Sequence, residues 1–304
     1  APSPFPLVPF TFPLLLLSSG IPCLPDRSMT PLLVILAAAL LAWGAHRFLR
    51  ARQRRRAAAK PLSDAQRRIL HDNIPLYRRL PDDLKTRLEQ HVQVFLFDKR
   101  FHGINGQTID EEIRLTVAGT ACILLLGRDD LEFAGFTNIL VYPSTFASEQ
   151  RSSDGMIEHV GHQARLGESW KRGPLVLAWD SARHGARDVQ DGHNVILHEF
   201  AHKLDEADGV MDGAPILEQK SHYVSWARTM QHEYELLQQR AARHLETVMD
   251  HYGAKQPAEF FAVLVETFFE KPFQLDRHHP ELYAEMQRCF GVDPLAWWAA
   301  ERDE

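Results

Sequence analysis

Cysteine is scarce in this chain. Three of the 304 residues, Cys23, Cys122 and Cys289, stand far apart and odd in number, so neither a disulfide framework nor a CxxC metal knuckle can be assembled from them. They read as small apolar fillers in a reducing compartment. Internal repeats and low-complexity tracts are also missing, which excludes a solenoid and wholesale disorder. With 45% hydrophobic and 24% charged residues, the composition is that of a globular protein able to bury a sizeable core.

Acids are nearly absent from the first sixty residues, where Asp26 stands alone against eight basic residues. The remainder carries 26 basic and 39 acidic residues, a net charge of −13. So acidic a body does not suit phosphate backbones, and direct nucleic-acid binding drops out of the leading functions.

Residues 1–25 hold seven prolines, and repeated proline removes the backbone donors that a bilayer-spanning helix must pair. Residues 1–28 are expected to be an upstream extension without functional weight, with Met29 opening a more conventional N-terminus. From Met29 to His46 formal charge is absent: MTPLLVILAAALLAWGAH is near the lower length limit for a transmembrane helix, with Trp43 at an interfacial position. RFLRARQRRR follows it. Positive charge after the apolar stretch is the reverse of a secretory signal and predicts a single-pass anchor in the inner membrane, with residues 47–304 on its cytoplasmic side. Without spanning, the chain would be cytoplasmic; a surface or buried helix is the competing reading.

A basic linker over 47–61 then leads to one domain, 62–304, with a helical N-terminal part (62–110) and a catalytic part (111–304). Ser63 or Asp64 can cap a helix over SDAQRRILHDNIPLYRRL, and a second helix starts near Pro81-Asp82-Asp83 with Leu84, Leu88 and Val92 at helical spacing. VQVFLFDKRFHG reads as an extended turn, residues 111–125 as a helix, and residues 138–146 and 173–182 as strands. Helix dominates from about residue 190, including one run from Pro215 to about Met249 whose His222, His232 and His244 read as solvated face. His278-His279 before Pro280 reads as a helix-start loop. The outline is an α+β fold, mainly helical with a small sheet.

The chemistry concentrates in DGHNVILHEFAHKLD. His198 and His202 stand four apart on a helix, hence on one face, where both imidazoles can reach one ion. Glu199, one step round, can meet a water on that ion. This is the HExxH pattern of two zinc ligands and a general base. A catalytic zinc takes a third protein ligand. The residues after His202 run KLDEADGVM, so no histidine follows at the next turns. His222, His232, His244, His251, Glu259, Glu266 and His278-His279 remain as candidates, and HYGAKQPAEFFAVLVETFFE is the best source. There Glu259 lies in the first turn of an apolar helix, with Glu266 seven residues on and nearly on the same face. Glu266 can support a ligating histidine or make a surface ion pair, and Asp205, three residues after His202, has a similar claim.

HEFAHKLD with DGAP downstream, then YGA, PAEFFAV and a further Glu, resembles the Mlc titration factor A family of zinc peptidases. The HEFAH and EFFA pieces are similar to the catalytic domain of lethal-factor-type gluzincins. The likeness spans about residues 61–290 and leaves out the membrane segment, in which the chain departs from soluble members. It implies a zincin-like metallopeptidase domain holding one zinc per chain. His198, His202 and Glu259 would be the ligands, Glu199 the base, and Tyr252 a donor to the developing oxyanion; a packing role is the alternative for Tyr252. It implies a peptide or protein substrate, aminopeptidase action, and an extended substrate laid along an edge strand, for which residues 174–179 are the candidate. A transcriptional repressor partner follows from the family's name, and a zinc-stabilised protein that sequesters such a repressor is the runner-up function. A metal-free helical anchor protein would leave Glu259 and both histidines without a purpose.

Overall fold

Residues 30–144 and 173–299 are described by a computed structural model. The chain divides into two units, Ala1–Ala51 and Arg52–Glu304. The expected extension at residues 1–28 and Met29 lie outside the described residues, as does Cys23.

Helix α1 (Thr30–Ala58) is long and apolar enough, by length and composition, to cross a membrane. Its Val34, Ile35, Leu36, Leu40, Leu41 and Trp43 side chains are exposed, and Arg47 lies 5.1 Å over the Trp43 ring. The basic run expected as a linker does not interrupt the helix. Arg, Gln and Ala are good helix formers, and they carry it to Ala58.

In the second unit the stretch expected as one helix after Ser63 is two. Pro75 disfavours helical geometry in the residue before it, so α2 (Asp64–Asn73) stops and α3 (Pro75–Arg79) restarts with Pro75 in its first turn. Ser63 closes a capping box with Gln66. Helix α4 (Asp82–Asp98) starts after Pro81 and overruns the extended turn expected over residues 92–103. Leu88, Val92 and Phe95 recur at helical spacing and are all buried, and this stripe outweighs the strand preference of Val and Phe. Only β1 (Arg100–Gly103) is extended there.

Asp110 caps α5 (Glu111–Cys122), which tightens into a 3₁₀ turn over Ile123–Leu125, as the helix expected over 111–125. The strand expected from residue 138 is β2 (Asn138–Tyr142), and its residues beyond 144 are not described. The strand expected over 173–182 is shorter: β3 (Leu175–Ala178) gives way at Trp179 to α6 (Trp179–Arg187). The three strands form a parallel sheet in the order β1-β2-β3, with Ile139 opposite Leu175 and Val141 opposite Leu177. Strand alternation turns Leu175 and Leu177 into the core and leaves Val176 and Ala178 half-buried on the other face.

Helices follow: α7 (Val195–Asp205), α8 (His222–Ala241), α9 (Pro257–Glu270), α10 (Pro272–His278), α11 (Pro280–Phe290) and α12 (Pro294–Ala299). The run expected as one helix from Pro215 to Met249 is helical only within α8. Before it, Gly213 takes φ +81° and its amide is tied to Asp205; after it, His244 takes φ +53°. His232 and His244 are exposed and His222 half-buried, while His279 precedes α11 and meets Glu233 at 2.7 Å. Cys122 and Cys289 are free thiols in the core, where burial pushes the Cys289 thiol up to about 12.

Lys99, at the end of α4, is a buried cation. Its Nζ donates to the carbonyls of Phe133 (2.6 Å) and Phe136 (2.8 Å) and lies 3.7 Å over the Phe136 ring. Burial is the largest influence and pulls its pKa from 10.5 down to about 8. Between those values the unfolded chain holds the proton more tightly than the folded one, so stability rises with pH across that window. Urea denaturation at about pH 7.5 and about pH 10 should therefore show wild type gaining on the order of 2–3 kcal/mol relative to Lys99→Met. Equal slopes for the two proteins would mean that Lys99 keeps its proton in the fold.

Candidate metal centre

Asn194 stops the preceding loop and starts α7. Its backbone is extended, and its side-chain oxygen accepts from the amides of Ile196 and Leu197. The helix then buries Ile196, Leu197, Phe200, Ala201 and Leu204 and turns His198, Glu199 and His202 the other way. The two imidazoles pack edge to face at 4.9 Å between ring centres. Opposite them, Pro257 opens α9 and places Glu259 in its first turn, where the rest of the helix is almost wholly buried.

The three residues meet. His198 Nε2 lies 3.0 Å and His202 Nε2 3.4 Å from Glu259 Oε2, and one ligand atom from each falls within 4.8 Å of the others. Donors around a tetrahedral zinc at about 2.0–2.2 Å are themselves about 3.3–3.5 Å apart. Two imidazole nitrogens and one carboxylate oxygen this close together could share such an ion. The donor set is that of a divalent metal site with borderline softness.

The carboxylates that would favour a metal cation here also favour imidazolium, so an ion has to displace a ring proton to bind. Burial opposes a charge on His198, yet Glu266 and Glu259 beside it raise its pKa to about 10. Burial also opposes the charge on Glu259, but the two histidines hold its carboxyl well below the usual range. The pocket thus keeps Glu259 an anion, the state a metal ligand needs.

Glu266, two turns beyond Glu259, takes the other side of the ring: its Oε1 is 2.7 Å from His198 Nδ1 and its Oε2 accepts from the amide of Asn194 at 2.5 Å. A carboxylate on Nδ1 orients the imidazole and leaves Nε2 for an ion. Asp205 turns elsewhere. It accepts from the amides of Gly213 and Ala214, and burial pushes its pKa up to about 6 despite those bonds. It holds the loop after α7.

Glu199, 5% exposed, lines a cleft of about 390 Å³ whose walls include Val176 and Ala178 of β3, Val195, His198, Tyr252 and Val263. Tyr252 lies in the 3₁₀ turn His251–Ala254, capped by Asp250, with its ring 5.9 Å from that of His198 and Lys255 Nζ 4.2 Å above it. Among the described residues β3 pairs on one side only, with β2, so the candidate edge strand forms one wall of the cleft.

Two buried residues packed beside these groups carry no signal of their contacts in the sequence. Asn194 is visible there as a cap residue just before an apolar run, and Glu270 as the third acid of α9, one turn after Glu266. Neither type signals metal chemistry, so only their contacts reveal them.

A family model described as glucose-regulated metallo-peptidase M90 matches residues 48–291. An uncharacterised protein of Synechocystis sp. is 38% identical over 266 residues, 87% of this chain and 96% of its own length. The Mlc titration factor A proteins of Pectobacterium atrosepticum and Yersinia pestis are 34% and 33% identical over 239 residues, 74% of this chain and 85% and 83% of theirs. The match takes in α7, α9 and the three converging side chains, and the chain belongs to the Mlc titration factor A family, the glucose-regulated metallo-peptidases M90.

Proposed function

We propose that this chain is a zinc-dependent peptidase that hydrolyses peptide bonds in the cleft between β3 and α7. The observation that carries this reading is the meeting of His198, His202 and Glu259 donor atoms beside Glu199. When bound, zinc supplies Lewis acidity and brings the pKa of water to near 7. Glu199 then takes the proton of the attacking water and returns it to the departing amine. Tyr252 donates its phenol proton toward the oxygen of the scissile carbonyl as negative charge develops there. The edge of β3 that has no partner strand among the described residues pairs with the substrate backbone, and Val176, Ala178, Val195 and Val263 give its side chains an apolar wall. The family resemblance favours action at a free amino terminus. The apolar first part of α1, whose apolar residues run all round it, anchors the chain in a membrane, and the arginines after it keep the catalytic unit on the cytoplasmic side.

The test uses the full chain extracted from membranes. Chelation should remove hydrolysis of short chromogenic peptides and Zn²⁺ should restore it, with blocked amino termini cleaved more slowly than free ones. Zinc-loaded protein that cleaves no peptide sinks the proposal. The name of the relatives gives a second reading, capture of a repressor protein, and zinc-loaded protein that binds a repressor without cleaving peptides supports it. Release of the protein by alkaline carbonate would remove the anchor.

A further inference from the structure

Asn194 is 1% exposed, and all its hydrogen-bonding groups are engaged. Its amide donates to Glu266 Oε2, its carbonyl accepts from the amide of His198, and its side-chain oxygen accepts from Ile196 and Leu197. Its Nδ2 donates to the carbonyl of Gly185 on α6 (3.0 Å) and to Glu270 Oε1 on α9 (2.9 Å). One side chain therefore joins α6, α7 and α9. Capping needs only the oxygen; the two Nδ2 bonds have no part in it. Glu266 and Glu270, four apart on α9, grip Asn194 by its main chain and its side chain, and Glu266 reaches His198 with its other oxygen.

We infer that Asn194 and Glu270 are positioning residues of the metal centre, a clamp that fixes Glu266 against His198 and so sets the ring for the ion. This rests on the metal-centre reading above. Glu270 is 2% exposed, its Oε2 has no partner among the described residues, and burial holds its carboxyl well above the usual range, with Glu266, Asp191 and Asp188 adding to the effect. What Asn194 needs from it is one acceptor oxygen, which a neutral amide also provides.

The clamp can be separated from the cap. Aspartate caps a helix as well as asparagine does, but it has no Nδ2 to donate. In the full chain, Zn²⁺ affinity measured against a chromogenic chelator should fall about 10–100-fold for Asn194→Asp, the range found when groups that orient metal ligands are removed. Glu270→Gln alone keeps the acceptor oxygen that Asn194 needs and should lose far less affinity than Asn194→Asp. Combining the two exchanges donor and acceptor across the 194–270 pair, while the Gly185 carbonyl stays without its donor, and should recover part of the lost affinity, a rescue that a merely destabilised helix would not give. These variants preserve side-chain size, so they carry the test even where Asn194→Ala does not fold. Tight wild-type binding with an unaffected Asn194→Asp variant, or a double variant no better than the single one, overturns the inference and leaves the peptidase reading intact. Wild-type protein that takes up no zinc overturns both.

Discussion

Replacing Glu199 with glutamine is expected to lower peptide hydrolysis about 10²–10⁴-fold, the usual contribution of a positioned general base, while zinc content stays at the wild-type level. The split follows from geometry. The converging donors are His198 Nε2, His202 Nε2 and Glu259, and Glu199 is not among them although it follows His198 directly and lines the cleft. Glutamine preserves size and polarity at a site only 5% exposed, so the fold has no reason to move. What is lost is a group that can accept the proton. In free energy this is about 3–5 kcal/mol on the barrier. It should enter kcat far more than KM, because the proton transfer strengthens in the transition state and not in substrate binding. Glu259→Ala is the contrasting variant, since it removes a donor and should lose metal and activity together. Steady-state kinetics with metal analysis on both proteins decides the matter. Should Glu199→Gln retain more than about a tenth of the activity, another group takes the proton and the role assigned to Glu199 falls.

The parts of the centre that are legible in the sequence share one property: their partners lie on the same helical face. His198 and His202 are four apart, and Glu259 and Glu266 are seven apart, so helical periodicity alone brings each pair together. Pairing α7 with α9 is a tertiary fact. Spacing leaves eight histidines and acids open as third ligand, and only the family likeness singles out Glu259. Expectation and fold part company where local preference and burial disagree. Val92 to Phe97 favours strand by residue type but is helical because one stripe of it is buried; residues 215–221, expected inside one helix, instead precede α8, after a turn in which the Gly213 amide is held by Asp205. Asn194 and Glu270 are opaque for another reason. A buried asparagine and a buried acid look like a cap and an ion-pair partner until their contacts are seen.

The second large effect is expected from Phe200, which sits inside the HExxH run and faces away from the metal. Phe200→Ala should cost about 3–5 kcal/mol of stability, the range for deleting a buried aromatic ring. The residue has no exposed surface, and its ring is 4.7 Å from that of Phe133, 5.6 Å from Phe95 and 6.0 Å from Phe136. Those partners come from α4 and from the loop before β2, so the cluster fixes the rotation of α7 about its own axis. That rotation sets where the two imidazoles point. A chain of this size loses roughly 2–4 °C of Tm per kcal/mol, so the melting temperature should drop by about 6–20 °C. Zinc should recover part of the loss, because a ligand bound only to the folded state stabilises it by mass action. Phe200→Leu, which refills most of the volume, should lose much less and bind zinc nearly as tightly as wild type. Calorimetry of the three proteins with and without Zn²⁺ tests this. An alanine variant that melts within about 2 °C of wild type would show that the aromatic cluster contributes little to holding α7, and the role assigned to Phe200 falls.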